Sequence, residues 1–374
     1  VVKYIYNDLE AIADRIKTGN RKIVVYGAGM IGRVLVPYLI EEYCLFDNLL
    51  YFVDADVRKQ RETISIGNRE YRIVSQEVLK QFPDNAVLWI TNSNYQPIVE
   101  LLDGIEKLKQ AEGYILPVLQ VLATRNLGKR ENICISEEPM IPKKIHYCWF
   151  SGKPIPDYLK RCMESWNRFC PDYEIIRWDE SNYDITWNSY MKQAYEAEKW
   201  GFVPDIARLD ILYRHGGIYL DTDVELVRNL DELLYQSAFA GVEKWGNVNL
   251  GGGCGAMPQH PMIKEILEYR VNEKFILKDG SMNLTTCGFY ETKPLINRGM
   301  RPNNTTQRVA DMTIYSSDYF HPYDYMSGET SLTDNTFSIH HFNGGWLNES
   351  KMAERKRTKM MYQLMLDRMR EASE

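Results

Sequence analysis

Nowhere in its 374 residues does the sequence hold an apolar run long enough to cross a bilayer, which takes about 20 residues. It also lacks a basic excess. Acidic side chains number 51 against 45 basic ones, and the net charge of −6 has the wrong sign for a surface that neutralises phosphates, so nucleic acid is not expected as a partner. An anionic ligand must instead be met locally, by a metal ion or by helix N-termini. There is no cysteine framework either: Cys44, Cys134, Cys148, Cys162, Cys170, Cys254 and Cys287 are scattered and odd in number, without the short paired spacings of a zinc site or disulfide scaffold. That usage fits a reducing compartment, and a cytoplasmic location is expected. The opening stretch, VVKYIYNDLEAIADRIK, reads as a charged amphipathic helix rather than a signal peptide.

With 44% hydrophobic and 12% aromatic residues, the chain can bury a sizeable core, and its length points to two ordinary domains. In the first, KIVVY (22–26) reads as a buried strand followed by GAGMIG (27–32) and the helical run VLVPYLIEEY. The strand LLYFVD ends at Asp54. YRIVS, AVLWITN and GYILPV are further strands, and EVLKQF and PIVELLDGIEKLKQA read as helices between them. Strands alternating with helices predict a parallel, doubly wound sheet over 1–128. The segment 129–139 reads as a linker. A second series occupies 140–374: KKIHYCWF (strand), PIPDYLKRCMESWNRF (helix), YEIIRW (strand), then PDIARLDILYRHGG, a helix with proline in its first turn and glycine at its end. The final stretch carries Met361, Met365 and Met369 at four-residue spacing behind a basic cluster. It predicts a helix docked on the second domain; the alternative is peripheral association with the inner face of a membrane.

The strongest chemical signal is GGIYLDTDVEL (216–226). In an extended segment alternate side chains share a face, so Asp221 and Asp223 are expected to point the same way. Two hard oxygen ligands suit Mg²⁺ or Mn²⁺, which leaves positions open for phosphate oxygens. A bare Asp-x-Asp is more often a solvated turn, and its context decides. Upstream, Asp205 and Arg208 lie three apart on the preceding helix. Either they form a surface ion pair, or the arginine reaches a phosphate while the aspartate takes sugar hydroxyls. Downstream, FSIHHFNGGW holds His340 and His341, which as neighbours on a strand face opposite sides, so at most one joins a common metal.

Taken together, IPKKIHYCWFSGKPIP from 141, SWNRFCPDYEIIRWDE, PDIARLDILYRHGGIYLDTDVE, NLGGGCGAMPQHP and TFSIHHFNGGW from 336 resemble the DXD-motif sugar transferases of glycosyltransferase family 32. That group includes fungal mannosyltransferases and bacterial capsule and lipopolysaccharide enzymes. The resemblance implies a GT-A fold for 140–374, a divalent cation, and retention of anomeric configuration without a protein nucleophile. It implies a nucleotide-sugar donor, for which a UDP-sugar is expected, and a glycan or lipid-linked saccharide acceptor. By position, Trp149 would stack on the base. Asp205 and Arg208 would contact the donor sugar and phosphate, and Tyr219 would line the same pocket. Asp221 would hold ribose and metal, Asp223 the metal directly, His340 or His341 would complete the ligand set, and Trp346 would hold the diphosphate. Where many relatives have Gly-Pro, this chain has Gly288 followed by Phe289, which puts acceptor identity in doubt. The glycine-rich stretch 249–255 reads either as a flexible loop or as a plain tight turn.

GAGMIG carries its own expectation. It follows a strand, opens a helix, and has Asp54 about 20 residues on, as a dinucleotide fingerprint requires. Gly27, Gly29 and Gly32 would bring backbone N–H groups to a pyrophosphate and Asp54 would take ribose hydroxyls; alternatively the glycines merely allow close strand-helix packing. An NAD(P)-dependent oxidoreductase built on this module competes poorly, because all six histidines lie beyond residue 140 and 33–128 holds no Tyr-x-x-x-Lys pair to relay a proton. A non-catalytic sugar-nucleotide-binding scaffold is the remaining alternative.

Overall fold

The computed structural model describes residues 1–123, 135–342 and 349–373. These fall into two compact units, one formed by 1–123, 324–329 and 349–373, the other by 135–323 and 330–342.

The first unit is built on seven strands: β1 (Lys3–Tyr4), β2 (Lys22–Tyr26), β3 (Leu49–Val53), β4 (Thr63–Ile66), β5 (Arg69–Val74), β6 (Ala86–Ile90) and β7 (Glu112–Ile115). Their order is β1-β7-β6-β2-β3-β5-β4, parallel throughout except for β4. All of β6 and β7 is buried, the mark of parallel strands covered on both faces. β2 lies between β3 and β6, so the chain reverses direction across the sheet at β2, where doubly wound folds open their crevice. Two helices expected from the sequence come out differently. EVLKQF is a 3₁₀ turn, Gln76–Gln81, and the helix from Gln96 stops at Asp103 before Gly104.

One expectation fails here. The C-terminal helix, Glu349–Glu371, was predicted to close the second domain, and it belongs to the first unit. Its buried face holds Tyr362, Met365, Leu366 and Met369. Arg368 grips Asp103 through both carboxylate oxygens at 2.6 and 2.8 Å, donates to the Val2 carbonyl, and lies over the Tyr4 ring. Periodicity identified the helix and its methionine stripe. Its docking partners lie some 265 residues upstream, beyond the reach of any local pattern.

The second unit has a mixed sheet of β8 (Lys144–Cys148), β9 (Glu174–Trp178), β10 (Gly217–Tyr219), β12 (Ala238–Gly241), β13 (Cys254–Ala256), β14 (Gln307–Val309) and β15 (Met312–Tyr315), ordered β14-β15-β12-β13-β10-β8-β9. A separate ribbon pairs β11 (Val224–Leu226) antiparallel with β16 (Ser338–His340). The helix Pro204–His215 has proline in its first turn and ends at Gly216, whose φ of +61° suits glycine. It is buried along residues 205–212, so Asp205, Arg208 and Asp210 are carried into the interior. Along β10 the faces alternate: Ile218 and Leu220 join the core containing Trp166 and Phe239, while Tyr219 turns to the opposite core with Leu209 and Leu250.

Candidate active site

Asp221 and Asp223 converge, but not through strand alternation. β10 ends at Tyr219, and the Val224 N–H donates back to the Asp221 carbonyl at 3.0 Å, closing a turn over 221–224. The turn is fixed from two sides. The Asp221 N–H donates to the Gly251 carbonyl at 2.8 Å, and the helix Asp157–Phe169 holds β11 through Trp166, whose indole N–H donates to the Val224 carbonyl, and Ser165, whose hydroxyl accepts the Leu226 N–H.

Register then brings in the histidine. His340 stands opposite Val224, and the His341 N–H donates to the Asp223 carbonyl. Ligand atoms of Asp221, Asp223 and His340 lie within 4.8 Å of one another, with His340 Nε2 3.3 Å from Asp223 Oδ1. The carboxylates keep 28% and 15% of their side-chain surface exposed and the imidazole 7%. The cluster therefore has an open acidic mouth over a buried nitrogen. His341 faces away and pairs with Glu225 at 2.9 Å, so of the two histidines only His340 reaches the carboxylates. Burial alone would depress the His340 pKa, but the charges of Asp223, Asp221 and Glu243 outweigh it and raise it. Two carboxylate oxygens with one imidazole nitrogen form a donor set that fits Mn²⁺ or Mg²⁺, and His340 Nδ1 is buried without a hydrogen-bond partner.

Behind this mouth lies a buried charge network. Arg208 donates to Asp205 at 3.1 Å and stands 3.6 Å from both Asp221 Oδ1 and Glu291 Oε1. Its guanidinium lies over the Tyr219 ring, whose hydroxyl donates to Asp221 at 3.0 Å. The second oxygen of Asp205 accepts from Arg270 at 2.9 Å. Asp205 and Arg208 are thus not a surface ion pair, and both oxygens of Asp205 are already engaged by guanidinium groups. Glu291, Arg270 and His321 carried no sequence signal. They lie 41 (Glu291 to Leu250) to 83 (Glu291 to Arg208) residues beyond the segments they meet, and only the tertiary fold shows them together. Burial pushes the Glu291 carboxyl up to about 7 and holds the His321 imidazole neutral, far below its ordinary range.

The glycine-rich stretch is a packed turn and not a loose loop. Residues 249–256 are all buried, running through a 3₁₀ turn (Leu250–Gly252) into β13. A Cβ on Gly251 would come within 2.0 Å of Asp221 Oδ2, and one on Gly252 within 2.0 Å of the His321 ring. The side chains of the site approach this backbone so closely that only glycine fits.

Trp149 follows β8 directly, and β8 is the parallel neighbour of β10, so Trp149 and Asp221 both leave the sheet at the carboxyl ends of adjacent strands. Its indole N–H donates to the Lys153 carbonyl. Trp346 lies outside the described residues. In the first unit, Gly27 has a φ of +114° and a Cβ on Gly32 would meet the Gly27 carbonyl. Asp54 accepts from the Ala28 N–H at 2.9 Å and pairs with Lys59 at 2.9 Å. The fingerprint carboxylate is therefore tied to the chain's own glycine loop.

The acidic turn that follows parallel strand β10, a histidine from the antiparallel β11–β16 ribbon and a buried arginine from the helix Pro204–His215 meet at one place, at the carboxyl end of a strand where α/β enzymes build their sites. Residues 156–240 match the family model described as the glycosyltransferase sugar-binding region containing the DXD motif, and the chain is similar to proteins named as glycosyltransferases. An uncharacterized glycosyltransferase of Acanthamoeba polyphaga mimivirus is 28% identical over 197 residues, 49% of this chain and 74% of the viral protein. Inositol phosphoceramide mannosyltransferase 2 of Schizosaccharomyces pombe is 32% identical over 139 residues, 36% of this chain but 39% of the yeast protein. Human alpha-1,4-N-acetylglucosaminyltransferase is 30% identical over 84 residues, 22% of this chain and 23% of the human one.

Proposed function

We propose that the second unit transfers a sugar, with retention of configuration, from a nucleotide-sugar donor to a glycan or lipid-linked acceptor, with Mn²⁺ or Mg²⁺ held by Asp221, Asp223 and His340. The observation that carries this reading is the convergence of these three side chains within 4.8 Å, beside a buried arginine, with Asp221 and Asp223 inside the matched DXD region. A bound cation would neutralise charge on the diphosphate leaving group. The chain's own contribution is positioning. Arg208, braced by Asp205, presents a fixed cation toward the Asp221 side of the site, where it suits a phosphate oxygen or a sugar hydroxyl. Tyr219 steers Asp221, and the packed glycine turn excludes water behind it. Trp149, at the edge of the same strand ends, is the candidate platform for the base.

The relatives named as inositol phosphoceramide mannosyltransferases favour a narrower second reading, a mannosyl donor and an inositol-phosphate lipid acceptor. A thermal-shift screen of UDP-sugars and GDP-mannose, with and without Mn²⁺, separates the two, since a ligand bound only by the native state raises its melting temperature. Stabilisation by a UDP-sugar supports the first donor and by GDP-mannose the second. If no nucleotide-sugar stabilises the protein with metal present, the donor assignment fails.

A further inference from the structure

Glu291, on the helix Cys287–Asn297, is fully buried and reaches two parts of the site. Its Oε2 accepts the Leu250 N–H at 2.9 Å. Its Oε1 has no hydrogen-bond partner and faces Arg208 Nη1, likewise unpartnered, at 3.6 Å. Leu250 opens the 3₁₀ turn whose next residue, Gly251, supplies the carbonyl that accepts the Asp221 N–H. One carboxylate therefore touches both the cation of the donor site and the backbone that fixes the acidic turn.

The adjacent residue supplies a control. Thr292 accepts the Val248 N–H at 2.8 Å through its hydroxyl, which donates in turn to the Gly288 carbonyl. A neutral group thus latches this helix to the neighbouring strand segment at no cost in buried charge. If Glu291 served only as a second latch, a neutral acceptor would suffice, and burying a carboxylate instead carries a desolvation penalty of several kcal/mol. The charge makes sense through what it faces. Arg208 has acidic groups on three sides, Asp205, Asp221 and Glu291, and without Glu291 its Nη1 edge would be drawn toward the remaining two.

We propose that Glu291 is a positioning residue of the donor site, setting the orientation of the Arg208 guanidinium and the height of the Gly251 carbonyl under Asp221. The inference rests on the donor-site reading given above. The charge of Glu291 acts through Arg208 and contributes to turnover only while that guanidinium is there to be oriented, so the two residues form a coupled pair in a double-mutant cycle.

The test uses the full chain with Mn²⁺ and measures hydrolysis of UDP-glucose and GDP-mannose. Glu291→Gln keeps an acceptor for the Leu250 N–H and removes the charge; it is expected to lower kcat/KM about 10- to 100-fold, while Mn²⁺ affinity stays within about threefold. In an Arg208→Lys background the same change is expected to cost less than about threefold more. Should the glutamine variant not fold, Glu291→Asp, which withdraws the charge by one methylene, completes the same cycle. Losses that multiply in the double variant, or a glutamine variant within about twofold of wild type, overturn the inference and leave the donor reading standing. A wild-type protein that hydrolyses neither nucleotide-sugar and is stabilised by neither removes both.

Discussion

Two adjacent histidines have opposite surroundings, which makes them a controlled comparison. His340 is buried against Asp223, whereas His341 pairs with Glu225 where both are substantially exposed. An exposed pair of that kind contributes about 0–1 kcal/mol, so His341→Ala should leave metal-dependent turnover within about threefold of wild type. His340→Ala removes the nitrogen of the proposed cation site and should cost about 100-fold or more in Mn²⁺-dependent turnover. Equal losses from the two substitutions in a steady-state assay would refute that assignment. Gly251 offers a steric version of the same question. Gly251→Ala drives a methyl group against the Asp221 carboxylate, so either the turn or the carboxylate must shift. The expected outcome is a loss of about 1–3 kcal/mol in stability, with activity falling by well over tenfold. Denaturant melts and kinetics on one preparation report both effects.

At the level of elements, the adjacent parallel strands β9, β8 and β10 of the second unit are tied together by one neutral imidazole. His146 on β8 donates from Nε2 to the Gly216 carbonyl at the start of β10, and its Nδ1 accepts the indole N–H of Trp178 on β9. Burial pulls its pKa from 6.5 down to about 4. Between those values the unfolded chain binds a proton that the folded chain refuses. Stability from this residue is therefore intact above pH 6.5 and falls as pH drops toward 4, by ~3 kcal/mol in all. His146→Gln should be less stable at pH 7 and should flatten this acid slope, as read from urea midpoints at pH 7 and pH 5. An unchanged slope would place the acid sensitivity elsewhere. The same strands show what sequence can and cannot reveal. β8, β9 and the buried helix 204–215 were readable because apolar period, proline and glycine are local signals. The convergence of Asp221 and Asp223 was foreseen for the wrong reason: two residues of strand alternation and one tight turn leave the same imprint, D-T-D. Glu291 and Arg270 were unreadable, because in the sequence each looks like an ordinary charged residue on a surface helix and only packing turns it inward. The C-terminal helix was recognised but assigned to the wrong unit, since its partner Asp103 is fixed by tertiary structure alone.

For the molecule as a whole, the acidic mouth is a concentrated version of the chain's own charge. With a net charge of −6, the protein holds two carboxylates close together at the end of a sheet, and in the absence of a cation their repulsion works against the fold. A divalent ion bound there stabilises by mass action, by ~2.7 kcal/mol at one hundred times its dissociation constant. For a unit of about 200 residues, each kcal/mol raises the melting temperature by roughly 2–4 °C, so saturating Mn²⁺ should raise it by about 5–10 °C. EDTA should reverse the shift, and Asp223→Ala should abolish it. The donor set also predicts an order among metals. Mg²⁺ prefers an all-oxygen shell, and an imidazole ligand favours the softer ion, so Mn²⁺ should stabilise more than Mg²⁺ at equal concentration. If His340 is the source of that preference, His340→Asp, which restores an all-oxygen set, should narrow or invert the gap. A gap that survives this substitution would mean that the histidine lies beside the ion without binding it.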